Sequence, residues 1–198
     1  MLSVAKLKVH GLAPISFELH KGDCLIVRGA SGSGKSLLLR AIADLDEAAG
    51  EIILDDKNRD LMDAPHWRKL VRYLAAESGW WFEYVQEHFK DLPTARQFAG
   101  DIDLADKLFA SPVAHLSSGE RQRMAFIRTL ENKPAVLLLD EPTSALDENS
   151  ADLMEQKIRQ LQKEGVILII VTHSNAQAER LATHTLTIKD GTAEFAGA

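Results

Sequence analysis

Apolar and polar positions alternate along Ser3–Val9 and again through Ile15, Phe17 and Leu19, with Pro14 between. That two-residue period predicts two strands, each buried on one face. Lys21-Gly22-Asp23 supplies a turn into Cys24–Arg28, a short apolar run with strand character. Val71–Ala76, Ala135–Leu139 and Val166–Val171 are apolar runs as well, and the last two are unbroken. Runs of that kind suit parallel strands covered on both faces. Gly50 with Glu51–Leu54 predicts one more short strand. Helices are predicted over Leu37–Ala43, over Gly119–Leu130, over Glu148–Lys163, where Leu153, Ile158 and Leu161 fall at helical spacing, and near Ala176–Leu181. Asp63-Ala-Pro65 resembles a helix start, with a capping aspartate and proline in the first turn. A closing hairpin turns at Lys189-Asp190-Gly191.

From Glu77 to about Ala110 the strand patterns stop. Helical pieces are predicted at Phe82–Phe89, Thr94–Ala99 and Asp103–Phe109, punctuated by Pro93 and Gly100 and closed by Ser111-Pro112. We read a small helical subdomain, about residues 77–116, inserted in an α/β core of about 1–76 and 117–198. A chain of 198 residues suits one such domain. There is no internal repeat and no low-complexity linker.

The hydrophobic share of 45% and charged share of 26% are ordinary for a globular protein. A net charge of −6 argues against a broad nucleic-acid surface, so no nucleic-acid partner is expected. Cys24 stands alone, which excludes an internal disulfide and suggests a buried thiol. Lys6 and Lys8 interrupt the N-terminus before a signal-like apolar stretch develops. The longest apolar run, Val166–Val171, has six residues, far short of the roughly 20 that span a bilayer. Membrane association is therefore expected only through a partner.

The chemistry centres on Gly29-Ala30-Ser31-Gly32-Ser33-Gly34-Lys35-Ser36, which fits the phosphate-binding pattern G-x-x-x-x-G-K-[ST] and has a strand before it and a helix, opening with Leu37, after it. Glycines let successive N–H groups converge on one centre, and the helix start adds its positive end. Lys35 places a charge on the outer phosphates, and the Ser36 hydroxyl is suited to Mg²⁺. A second pattern, Ala135-Val-Leu-Leu-Leu-Asp140-Glu141-Pro142, ends an apolar strand on two carboxylates. Asp140 suits the metal and Glu141 suits proton abstraction from a water. Taken alone, the pair is equally a solvated strand end.

Leu116-Ser117-Ser118-Gly119-Glu120-Arg121-Gln122-Arg123 makes the resemblance specific. It is similar to the L-S-G-G-[QE] signature of the ATP-binding-cassette (ABC) ATPases, with a serine and a glycine at a helix start. Ser144-Ala-Leu-Asp147 resembles that family's D-loop, and His173 in Val171-Thr-His-Ser174 resembles its switch histidine. The resemblance runs from the first strand to the last hairpin. It implies a phosphate-loop NTPase fold: a mainly parallel sheet, an N-terminal antiparallel β part and a small inserted helical subdomain. It implies ATP and Mg²⁺ as cofactors, with Ser36, Asp140 and Glu77 toward the metal and Glu141 and His173 toward catalysis. Ser117, Gly119 and Glu120 would meet the nucleotide held by another chain.

Four features depart from the family. Glu77 stands where a glutamine is usual, and either contacts metal or alters the coupling of motion. Ser118 replaces a glycine. His10 is the one candidate to stack on adenine, and no stacking at all is the other reading. The segment from Glu77 to Leu116 is short, yet Trp80, Trp81, Phe82 and Tyr84 crowd behind Glu77, either as core or as anchors for a membrane subunit.

One phosphate loop and one signature cannot close a site within one chain. The resemblance therefore implies a head-to-tail pair of ATPase subunits, homo- or heteromeric, that is monomeric without ATP. It implies the ATPase subunit of a transporter, cytoplasmic and held on the cytoplasmic face of the membrane by a separate permease. The residues Ser144–Ser150 and the small size resemble compact bacterial transporter subunits, including metal-export types. A non-transport ABC ATPase is the alternative, against which stand the missing coiled coil, the single cassette and the acidic balance. A slow-hydrolysing regulator is another, favoured by Glu77 and opposed by Glu141 and His173.

Overall fold

The structure is a computed structural model and describes residues 1–197. In chain order it runs β1 (Leu2–Lys8), β2 (Ile15–Leu19), β3 (Cys24–Gly29), α1 (Lys35–Ile42), β4 (Ala49–Leu54), β5 (Lys57–Asn58), α2 (Ala64–Leu70) and β6 (Val71–Leu74). It continues through α3 (Leu92–Asp101), α4 (Ser118–Leu130), β7 (Val136–Asp140), α5 (Glu148–Lys163), β8 (Ile167–Val171), α6 (Asn175–Leu181), β9 (His184–Lys189) and β10 (Thr192–Gly197).

The alternating N-terminal strands form an antiparallel sheet in the order β2-β1-β4-β5. A second sheet has the order β10-β9-β3-β8-β7-β6, parallel throughout except for β10. The apolar runs are unbroken because this sheet is buried on both faces. Leu25, Val27, Val136 and Leu138 face α1 and the antiparallel sheet. Cys24, Ile26, Leu137 and Leu139 face the other way, onto Phe126 of α4 and Ile158 of α5. Cys24 opens β3 and is buried, as expected, and burial pushes its thiol up to about 12. Among the described residues no helix is long and apolar enough to cross a membrane.

Between β6 and α4 the chain contains no strand; the helix predicted over Thr94–Ala99 is α3, longer than predicted at Leu92–Asp101, whereas the other two predicted pieces are shorter. The expected helix over Phe82–Phe89 is a single 3₁₀ turn, Val85–His88. The N–H groups of Trp81 and Phe82 instead donate to Nε2 of buried His88, each at 3.0 Å, and the chain bends at Phe82 and Glu83. The expected helix over Asp103–Phe109 is a 3₁₀ turn over Asp106–Ala110, because Asp103 adopts a left-handed φ of 52°. The strand expected through Ala76 ends at Leu74, where pairing with Leu139 of β7 stops.

Candidate functional site

Strands β3, β8, β7 and β6 are parallel neighbours, so their C-terminal ends lie along one edge. The loop after β3, the turn holding His173 after β8, Asp140 and Glu141 at the end of β7, and the segment with Glu77 after β6 all leave from that edge. Open α/β sheets bind ligands there.

The loop Gly29–Ser36 is shaped by close approaches. A Cβ at Gly29 would meet Ile188 O and Ser33 Oγ, each at 2.6 Å, so only glycine fits. Gly34 takes a φ of 97° and precedes Lys35, the first residue of α1. No side chain caps α1, and its first turn holds no acidic residue. The Lys35 ammonium is buried and donates to Gly29 O at 2.9 Å and Ala30 O at 2.8 Å, curled back over the loop. Ser33 Oγ is buried with no hydrogen-bond partner among the described residues. Ala30, Ser31, Gly32, Ser36 and Leu37 are not buried. Residues 30–34 and Leu37 line a cleft of about 390 Å³, whose other wall is His10, Gly11, Asp190 and Gly191. His10 thus stands beside the loop.

At the end of β7, Asp140 is only 4% exposed and accepts a hydrogen bond from the Tyr73 hydroxyl at 3.0 Å. Burial, and then the charge of Asp140, push the Tyr73 phenol up, so the tyrosine is the donor. Glu141 turns away in the left-handed region, with φ 49°, while its N–H donates to Val171 O at 2.9 Å. Asp140 pairs with Val171, so β7 and β8 end level. Glu141 Oε1 and His173 Nε2 consequently meet at 3.1 Å. Glu77 is exposed and makes no hydrogen bond or ion pair among the described residues. It lines a second cleft, about 830 Å³, together with Glu141, Ser118 and Ser144.

No three His, Cys, Asp or Glu side chains are grouped to hold a metal among the described residues. A nucleotide-bound Mg²⁺ does not need such a cage, since it takes one or two protein oxygens and completes its shell from phosphates and water. The Ser36 hydroxyl and the Asp140 carboxylate are oxygen donors of that kind.

Ser117, Gly119 and Glu120 form a separate group. Ser117 Oγ accepts from the Glu120 N–H at 3.2 Å, and the Ser117 N–H donates to Glu120 Oε2 at 2.8 Å. The Ser117 N–H, and then the Ser117 hydroxyl donating to the same oxygen at 2.9 Å, hold the Glu120 carboxyl below its usual range. A Cβ on Gly119 would lie 3.2 Å from Ala145 O, so this helix start packs against the segment Ser144–Asp147. Asp147 caps α5 through the Ser150 N–H at 2.9 Å. No hydrogen bond joins Ser117, Gly119 or Glu120 to the phosphate loop among the described residues.

The aromatic cluster divides. Trp80 is partly buried, whereas Trp81 is 64% and Phe82 51% exposed. His88 packs edge-on against all three, and the Arg128 guanidinium lies 4.6 Å and 4.8 Å from the Trp80 and Trp81 rings. His88 and Tyr73 are the residues the sequence does not point to. The only signal for Tyr73 is the pairing of β6 with β7.

Comparison with known proteins bears on this geometry. Residues 12–144 match the family described as ABC transporter. The chain is 32% identical to a glutamine transport ATP-binding protein of Geobacillus stearothermophilus over 92% of this chain and 82% of that one. It is 34% identical to the lipoprotein-releasing system ATP-binding protein of Shewanella frigidimarina over 91% and 82%. Among solved structures, the ATP-binding cassette MJ0796, in a dimeric post-hydrolysis state bound to ADP and Pi, superposes with a TM-score of 0.87. That match covers 100% of this chain and 98% of that one at 22% identity, and speaks to the fold. The chain belongs to the ABC transporter family. It is an ATP-binding-cassette ATPase of the nucleotide-binding-subunit kind, and ATP is its nucleotide.

Proposed function

We propose that this protein hydrolyses ATP at sites completed between two cassettes and so drives a separate membrane permease. Residues Gly29–Leu37 receive the phosphates, and Ser36 and Asp140 hold Mg²⁺, with Glu77 within reach of the same edge. The metal supplies charge neutralisation on the outer phosphates. Glu141 takes a proton from the water that attacks the terminal phosphorus, and His173 orients Glu141. Ser117, Gly119 and Glu120 of a second copy, or of a homologous subunit, cover the nucleotide from the opposite side. Residues 1–76 and 117–198 act as the catalytic core and residues 77–116 as the part that meets the permease, through exposed Trp81 and Phe82. The protein then sits on the cytoplasmic face of the membrane.

The observation that carries this reading is the 3.1 Å approach of His173 to Glu141 beside an uncapped helix start. A binding-only regulator has no use for an oriented carboxylate at that edge. Relatives are named for glutamine transport and for a lipoprotein-releasing system, so the reading stops at ATP-driven transport.

The test is molecular mass by light scattering with Mg-ATP, for wild type beside Glu141→Gln. We expect steady turnover in the wild type, a loss of about 10²–10⁴-fold in the variant, and an ATP-dependent dimer of the variant. A variant that binds ATP yet stays monomeric rules out the homodimer. Turnover unchanged by the substitution rules out Glu141 as the base.

A further inference from the structure

Asp140 ends β7 with its carboxylate almost wholly buried, and it forms no ion pair among the described residues. Its one side-chain hydrogen bond is the one from Tyr73, to Oδ2 at 3.0 Å. Arg40, which lies near Tyr73, is committed to Asp46 through bonds of 2.7 Å and 2.6 Å. The tyrosine is brought there by register. Tyr73 pairs with Leu138, and in a strand residues two apart share a face, so Asp140 lies on the Leu138 face, one step beyond it. That face packs on α1, whose first turn carries Ser36. The ring of Tyr73 lies against this apolar cluster, and a phenylalanine ring would pack there equally well. The hydroxyl therefore adds nothing to packing, and its contact is with a single atom of the carboxylate.

We infer that Tyr73 is the positioning residue for the Mg²⁺ ligand: its hydroxyl engages Asp140 Oδ2 and so turns Oδ1 toward the metal of the bound nucleotide. The inference rests on the reading of Asp140 as a metal ligand. A group that orients a ligand without touching the metal sets metal affinity, and losing it typically costs about 10–100-fold. Nucleotide affinity without metal does not depend on it.

The experiment uses the full chain in a Glu141→Gln background, which keeps ATP intact. Two constants are measured: ATP affinity in EDTA, and the free Mn²⁺ that half-saturates the protein–ATP complex, read by electron paramagnetic resonance. Tyr73→Phe is expected to raise the Mn²⁺ requirement about 10-fold, with the ATP constant in EDTA unchanged and the thermal midpoint lowered, because the buried carboxylate loses its one side-chain hydrogen bond. Asp140→Asn is expected to raise the Mn²⁺ requirement further. Adding Tyr73→Phe to Asp140→Asn is expected to change nothing more. If Tyr73→Phe stays within twofold of its parent while Asp140→Asn weakens metal binding, Tyr73 has no positioning role and Asp140 keeps its own. If Tyr73→Phe weakens ATP in EDTA as much as it weakens Mn²⁺, the tyrosine acts through packing and the inference is wrong. If Asp140→Asn leaves Mn²⁺ binding unchanged, the metal role of Asp140 falls and takes this inference with it.

Discussion

Helices α1 and α4 both begin on a glycine- or serine-containing turn, and their first turns are completed in opposite ways. Behind α1 stands Gly34, with no side-chain cap and no acidic residue in the turn. Behind α4 stands Ser117, locked with Glu120 in a reciprocal capping box. The first four N–H groups of any helix lack partners within it. At α1 they are left for an anion, and Lys35 waits folded against the loop carbonyls. At α4 the Ser117 and Glu120 N–H groups are already used, and a carboxylate sits at the positive end of the dipole. The first start leaves its N–H groups open to an anion as it stands, which the proposed phosphate site requires. A phosphate arriving at the second must compete with Glu120, which suits a contact that forms only when two cassettes close.

The comparison breaks most easily at Lys35. On the proposed reading Lys35→Ala removes two or three charge-assisted bonds to phosphate, each worth about 1.5–3 kcal/mol. ATP affinity by equilibrium dialysis should fall about 100-fold or more. An unchanged affinity would mean that α1 does not receive the phosphates. Gly34→Ala comes next, because its Cβ would approach Leu12 Cδ1 to 3.1 Å at a φ of 97°. A left-handed residue with a Cβ costs about 1–2 kcal/mol, to be seen as a lower urea midpoint together with weaker ATP binding.

At the other helix, Ser117→Ala should cost about 1 kcal/mol in urea unfolding and leave the ATP affinity of the monomer unchanged. A change in monomer affinity would place the two helix starts on one nucleotide within a single chain. The smallest effect belongs to Glu120→Gln, which keeps the capping geometry and removes the charge. It should cost about 0.3–1 kcal/mol of stability while tightening the ATP-dependent dimer. Because the Glu120 carboxyl is held below its ordinary 4.5, its contribution to stability is complete above that pH. It is lost as pH falls through the lower folded value, and acid unfolding of Glu120→Gln should lack that component.

The candidate site was largely legible in the sequence because its residues follow apolar runs. Gly29–Ser36, Asp140–Glu141 and His173 each come just after a strand that reads clearly as buried on both faces. What lay behind the site was not legible. Tyr73 sits in a strand whose pattern marks it as core, and only the offset of β6 against β7 brings its hydroxyl to Asp140. His88 reads as a stray histidine, yet its ring nitrogen takes the N–H groups of Trp81 and Phe82, a closure that six residues of helix between Phe82 and His88, rising about 9 Å, would put out of reach. Local periodicity carries no information about a side chain that competes for backbone donors.

By itself the sequence determined where most strands and helices outside residues 77–116 run, which residues make up the glycine-rich loop, and that one chain carries one such loop and one signature-like stretch. These are local matters, set by side-chain period, by glycine and by residues adjacent in the chain. Tertiary structure alone decided that β9 lies parallel beside β3, so that Ile188 closes over Gly29, and that β7 and β8 end level, so that His173 reaches Glu141. It alone decided that Tyr73 meets Asp140. Parallel pairing joins segments far apart in the chain, and its register is set by the shared core rather than by any pattern within one strand.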